Sequence, residues 1–177
     1  MTETFTLDSV AFGIGLLGGI PDLLTRRIPN WLTFPAIALG LAAQAWVGGG
    51  GAALDGLLGL ALAFALFFPI FATGYMGAGD VKLLMAVGTW LGWRLCLHVA
   101  VAAVLVGGAF ALLEVTFRGR LAAVARNGYS FLRALLVPGL VAEKLKVDES
   151  RKFAFGACVA VAVALVLYFD HRGMLPW

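Results

Sequence analysis

The chain has 177 residues, 62% of them hydrophobic and only 13% charged, with a mean hydropathy of +0.96. A water-soluble domain of this length carries far more surface charge, so the composition excludes an ordinary soluble globule and makes a bilayer the natural solvent. The net charge of +3 gives no reason to expect nucleic acid as a partner, because in a membrane protein the placement of Lys and Arg matters more than their sum.

The N-terminal MTETFTLDSV has no basic region and no small-residue cleavage site follows the first apolar run, so that run is expected to stay as a helix. Apolar runs between charged or turn-rich breaks then predict about six transmembrane segments: Thr6 to Ile20, Trp31 to Val47, Leu54 to Thr73, Val81 to Gly92, Leu95 to Phe117 and Phe153 to Phe169. The expected fold is all-α and polytopic, a single membrane-embedded domain over residues 1–177. The fourth run is short for a span, which calls for tilt, a thinner bilayer or partial crossing. Gly48 to Gly51 reads as a flexible turn. Cys96 and Cys158 lie within apolar runs without a CxxC or zinc-like spacing, and read as packing residues.

With the N-terminus outside, eleven of the thirteen basic residues fall on the cytoplasmic side, leaving only Arg94 and Arg172 outside. The positive-inside rule therefore predicts both termini outside. The segment 118–152 is the one sizeable polar stretch. Its Arg120, Arg126 and Arg133 interleave with Leu121, Val124, Phe131 and Leu135, a pattern that suits a basic amphipathic helix on the anionic inner leaflet.

Chemistry concentrates at two aspartates. Asp22 follows Pro21 at the inner end of the first run, where the proline is expected to loosen or stop the helix. Pro29 then breaks the chain and Asn30 is placed to cap the second helix. Asp80 sits in GYMGAGDVKLL, behind Gly74, Gly77 and Gly79. An acid opening a helix can be a simple cap, but capping does not explain the glycines; non-helical backbone at membrane depth is tolerated where it lines a cavity. Each carboxylate is costly in an apolar run unless paired or facing water. Lys82 reads as a headgroup anchor. Gly15 and Gly19 form a small-xxx-small pair suited to close helix packing, including the approach of a substrate helix.

The aspartate upstream of IPNW, together with GYMGAGDVKLLMAVG, resembles the type IV prepilin peptidases, GxGD-type intramembrane aspartic proteases. The resemblance implies an enzyme whose catalytic residues are Asp22 and Asp80, with Gly77, Gly79, Pro29 and Asn30 shaping the site. It implies no cofactor and no metal. The substrate is a prepilin or pseudopilin whose basic leader is cleaved after a glycine at the cytoplasmic face of the inner membrane, with membrane lipids as surroundings and no nucleic acid. The chain looks like the short, peptidase-only form of the tight-adherence (Flp) pilus type, which is expected to lack the four-cysteine methyltransferase segment. It departs from the family where a Pro-Tyr-Gly is common before the last helix, having Ala154-Phe155-Gly156 instead. A transporter using the aspartates as a proton relay is the alternative, but it calls for paired broken helices in an internal repeat, which the sequence does not show.

Overall fold

The computed structural model describes residues 2–72, 76–117 and 154–175. It is all-helical, with α1 at Thr2–Thr25, α2 at Asn30–Ala72, α3 at Ala78–Phe117 and α4 at Phe155–His171. Stretches in the first three helices are long and apolar enough to cross a membrane, and α4 is a shorter apolar helix. The expected amphipathic helix over 118–152 lies outside the described residues.

Straight helices of 43 and 40 residues would reach about 60–65 Å, twice the ~30 Å hydrocarbon core. Both fold back instead. Gly49 (φ 66°) breaks α2 and Gly92 (φ 74°) breaks α3, in a backbone region that costs glycine nothing and other residues a steric penalty. A Cβ on Gly88 would lie 3.0 Å from Cys96 Sγ, and one on Gly56 would lie 3.3 Å from Gln44 Cγ. Along a straight helix those pairs would be about 12 and 18 Å apart. Each long helix is therefore a hairpin of two arms. The runs expected as separate segments are here continuous helix on either side of a single non-helical glycine, and the Gly48 to Gly51 turn contracts to Gly49.

The first arm of α3 is the centre of the molecule, with Leu83, Leu84, Ala86 and Val87 all but inaccessible. Its shortness follows: protein covers it on nearly every side, so lipid does not set its length. The second arm of α2 lies on it at backbone distance. A Cβ on Gly88 would stand 2.7 Å from Gly59 O, and a Cβ on Gly56 equally close to Thr89 O. Buried polar groups find partners there, Gln44 Nε2 donating to Trp90 O (2.8 Å) and Trp90 Nε1 to Ala36 O (2.8 Å), as low-dielectric surroundings require. Cys96 and Cys158 are buried and unpaired. The outer surface is apolar, with Leu24, Trp31, Trp46, Leu105 and Phe117 widely exposed, which suits lipid contact.

Two expectations change. Helix α1 does not stop at Pro21 but runs to Thr25: the missing proline N–H costs a single intrahelical bond, and the last turn closes through Thr25 Oγ1 donating to Pro21 O (2.9 Å) and the Arg26 N–H donating to Asp22 O (2.9 Å). Gly15 and Gly19 do admit a close neighbour, but it is α4. A Cβ on Gly19 would meet Ala157 Cα and Ala160 Cβ at 3.2 Å, and one on Gly15 would meet Ala160 Cα at 3.5 Å. That face is filled and has no room for a substrate helix.

Candidate active site

The turns at 26–29 and 76–77 and the start of α4 gather at one end of the bundle, away from the Gly49 and Gly92 breaks. Asp22 and Asp80 meet there. Asp22 occupies the last turn of α1 and is 4% exposed; Asp80 occupies the first turn of α3 and is 7% exposed. Each is held by a backbone donor. The Gly156 N–H, at the start of α4, donates to Asp22 Oδ2 at 2.8 Å. The Gly77 N–H donates to Asp80 Oδ2 at 3.2 Å while the Asp80 N–H donates back to Gly77 O at 3.2 Å, a reciprocal pair that fixes the carboxylate on its own turn. The two carboxyl groups lie within electrostatic reach of each other, and the Gly156 N–H is near both.

One oxygen stands apart. Asp80 Oδ1 is buried and has no hydrogen-bond partner among the described residues. A buried carboxyl oxygen without a donor is costly, and such an atom in a native fold marks a place that another polar group fills. A water or a substrate carbonyl is the group this geometry suits.

Three glycines and one isoleucine set the spacing. A Cβ on Gly156 would lie 3.0 Å from Asp22 Oδ2 and 3.0 Å from Ile28 Cδ1, a Cβ on Gly79 would lie 3.0 Å from Ile28 Cβ, and a Cβ on Gly77 would lie 3.1 Å from Asp80 Oδ2. Ile28 thus wedges between the glycine beside Asp80 and the glycine that holds Asp22. Gly77 thus abuts the Asp80 carboxyl and Gly79 abuts Ile28. Pro29 forms the turn into α2, its carbonyl accepting from the Leu32 N–H (3.1 Å). Asn30 does open α2, but its side-chain Oδ1 accepts from Lys82 Nζ at 3.0 Å, with the ammonium 4.9 Å from the Phe34 ring centroid. Lys82 thus ties the start of α3 to the start of α2 at an exposed position.

Ile28 and Gly156 were not legible as site residues by type. One is an apolar residue in an apolar chain, and the other acts through its backbone. The only signal for Gly156 is the Ala154-Phe155-Gly156 segment, which keeps the glycine of the family's tripeptide. Phe155 beside it packs on Phe67, with ring centroids 5.9 Å apart, so the second arm of α2 also braces this end of α4. Among the described residues, no group of three or more His, Cys, Asp or Glu is placed to hold a metal ion.

Residues 9–112 match the type IV leader peptidase family, a stretch that contains both aspartates. The chain is 34% identical over 110 residues to a prepilin leader peptidase/N-methyltransferase of Burkholderia pseudomallei (strain 1026b), covering 56% of this chain and 34% of that protein. It is 33% identical over 106 residues to one of Klebsiella pneumoniae (48% and 45%) and 32% identical over 108 residues to one of Dickeya chrysanthemi (55% and 37%). The chain thus spans less than half the length of each of these relatives. No solved structure matches it. With well over half of its length matched by the family's pattern, the chain belongs to the type IV leader peptidase family.

Proposed function

We propose that this protein is a membrane aspartic endopeptidase that removes the basic leader from type IV prepilins or pseudopilins, with Asp22 and Asp80 as its catalytic pair. The observation that carries this reading is that the two buried carboxylates, one in the last turn of α1 and one in the first turn of α3, lie near the same Gly156 N–H.

The chemistry follows from the pair. One aspartate, ionised, takes a proton from a water, whose oxygen attacks the scissile carbonyl. The other, protonated, donates a hydrogen bond to the carbonyl oxygen as charge develops there, and the proton passes to the leaving amine. Fixed backbone donors hold the Oδ2 atoms of both carboxyls, so their remaining oxygens keep a set direction through the cycle and little reorganisation is needed in the transition state. Because the pair titrates as a unit, base and acid are not assigned to one residue each.

The arms of α2 and α3 with α1 and α4 support six crossings. With the eleven basic residues inside, the dyad end faces the cytoplasm of the inner membrane and both termini face outward. The Flp type of pilin is the substrate class that the sequence resemblance favours. A proton relay is less well supported: among the described residues the buried polar side chains besides the two aspartates are Thr33, Gln44 and Thr89, none of which is an acid or a base. The test is incubation of membranes holding this protein with a Flp-type prepilin. Release of a leader ending in glycine, identified by mass, is the expected result; an intact prepilin at all enzyme levels contradicts the reading.

A further inference from the structure

Between α1 and α2 the chain leaves the helix at residues 26–29. Both ends of this segment are tied down. The Arg26 N–H donates to Asp22 O (2.9 Å), and beyond Pro29 the Lys82–Asn30 bond (3.0 Å) fastens the start of α2 to α3. Ile28 precedes a proline, which biases it to extended backbone. In extended chain the N–H and C=O of one residue share a side, and those of its neighbours face the other way.

On the neighbours' side Pro29 offers the substrate no free group. Pro29 has no N–H, and Pro29 O accepts from the Leu32 N–H (3.1 Å). Ile28 differs. Among the described residues neither its N–H nor its C=O has a hydrogen-bond partner, although its side chain is packed between Gly79 and Gly156, next to both aspartates. An unpartnered main-chain donor and acceptor on one residue, close to a buried unpartnered carboxyl oxygen, has the chemistry of a binding edge for a peptide backbone.

We propose that residues 27–29 act as a one-residue strand edge, on which the scissile segment of the substrate lies extended and exchanges two main-chain hydrogen bonds with Ile28. This rests on the peptidase reading above. A carbonyl in a helix is already committed to its own ladder, so attack on it requires local unwinding. At membrane depth the freed groups need protein partners because water is scarce. Pairing with Ile28 supplies them without regard to side chain, as strand addition does elsewhere, and brings the carbonyl toward the dyad. The ligand class is therefore an extended peptide backbone next to an apolar helix.

The decisive experiment replaces Ile28 in the full chain by its α-hydroxy acid. This turns the 27–28 amide into an ester, deletes one N–H and keeps the isoleucine side chain. That N–H makes no bond in the free protein, so thermal stability should be unchanged. Leader cleavage of a synthetic prepilin peptide should lose about five- to ten-fold in kcat/KM, the size of one neutral hydrogen bond. A second arm moves the same amide-to-ester change along the peptide near the scissile bond. At the one position whose weakened ester carbonyl would accept from Ile28, its cost should vanish in the ester enzyme, because the donor of that hydrogen bond is already gone. Wild-type kcat/KM in the ester enzyme, a fall in stability parallel to activity, or additivity at every peptide position would each overturn the proposal. Failure of the unmodified enzyme to cleave the peptide would instead remove the peptidase reading, and this inference with it.

Discussion

Gly156 and Asp22 are 134 residues apart in sequence, yet the glycine N–H lies 2.8 Å from the aspartate Oδ2. That bond joins the end of α1 to the start of α4 and sets where one of the two carboxylates points. The glycine has no Cβ for a concrete reason: the atom would stand 3.0 Å from the carboxylate it holds and 3.0 Å from Ile28 Cδ1. Such contacts are tighter than packed interiors accept without displacement.

Gly156→Ala should therefore push Asp22 off its position while leaving α4 in place. A misplacement of order 1 Å costs about a hundred-fold in rate, and that loss is expected in kcat, at matched levels of folded protein. Gly108→Ala, where a Cβ meets nothing within 4 Å, should cleave at the parental rate. Equal rates for the two variants would remove the Gly156 bond from the account.

Valine at Gly79 has to displace Ile28, and valine at Gly77 has to displace the Asp80 carboxyl. Gly77→Val and Gly79→Val are each expected to destroy cleavage with the protein still inserted. The measurement is initial cleavage rate at matched membrane levels, with Arg126 and Arg133 neutralised together as a comparison expected to cost only modest activity. Active glycine variants beside an inactive arginine pair would move the site into the 118–152 segment.

Much of this site was legible because carboxylates are conspicuous. Asp22 and Asp80 stand out in apolar runs where an acid is expensive, and Gly77 ahead of Asp80 falls in the break before α3. What stayed hidden acts without a telling side chain. The Gly156 N–H and the free backbone of Ile28 are main-chain groups, visible only once α4 lies against the 26–29 turn. Pro21 misled in the opposite direction, since one lost bond did not outweigh a further helical turn closed by Thr25 and Arg26. The apolar runs located the helices, but not that single glycines at 49 and 92 fold continuous helices into hairpins. Gly15 and Gly19 were rightly read as a close-packing face; which helix fills it depends on tertiary arrangement.

The crossing of α2 on α3 should be sensitive to added bulk for a structural reason alone. Gly88→Ala sets a methyl 2.7 Å from Gly59 O and 3.0 Å from Cys96 Sγ, and the backbone oxygen has little freedom to yield. A loss of about 1–3 kcal/mol is expected for such overpacking, seen as a lower melting temperature in detergent. Gly13→Ala, with open space around its Cβ, should melt as the parent does.

Lys82 and Asn30 should behave as one unit. Their bond is exposed, so the coupling is about 1 kcal/mol or less. Lys82→Ala and Asn30→Ala should each cause a small loss of stability, and the double variant should lose less than their sum. Strict additivity in a double-mutant cycle would show that the contact contributes nothing.

Topology provides an independent check. Reporter fusions at the C-terminus and near Glu143 should report opposite sides of the membrane, with Glu143 cytoplasmic, as the partition of basic residues requires. A cytoplasmic C-terminus would mean an odd number of crossings and a different assignment for the arms of α3.

The central claim is that Asp22 and Asp80 perform the cleavage together. Asn keeps the shape of each side chain but cannot cycle a proton, and members of one catalytic unit are not additive when lost. In a prepilin band-shift assay at matched membrane levels, Asp22→Asn and Asp80→Asn should each abolish leader removal, and the double variant should be no worse than either single one. Near-parental cleavage by either single variant would contradict the account.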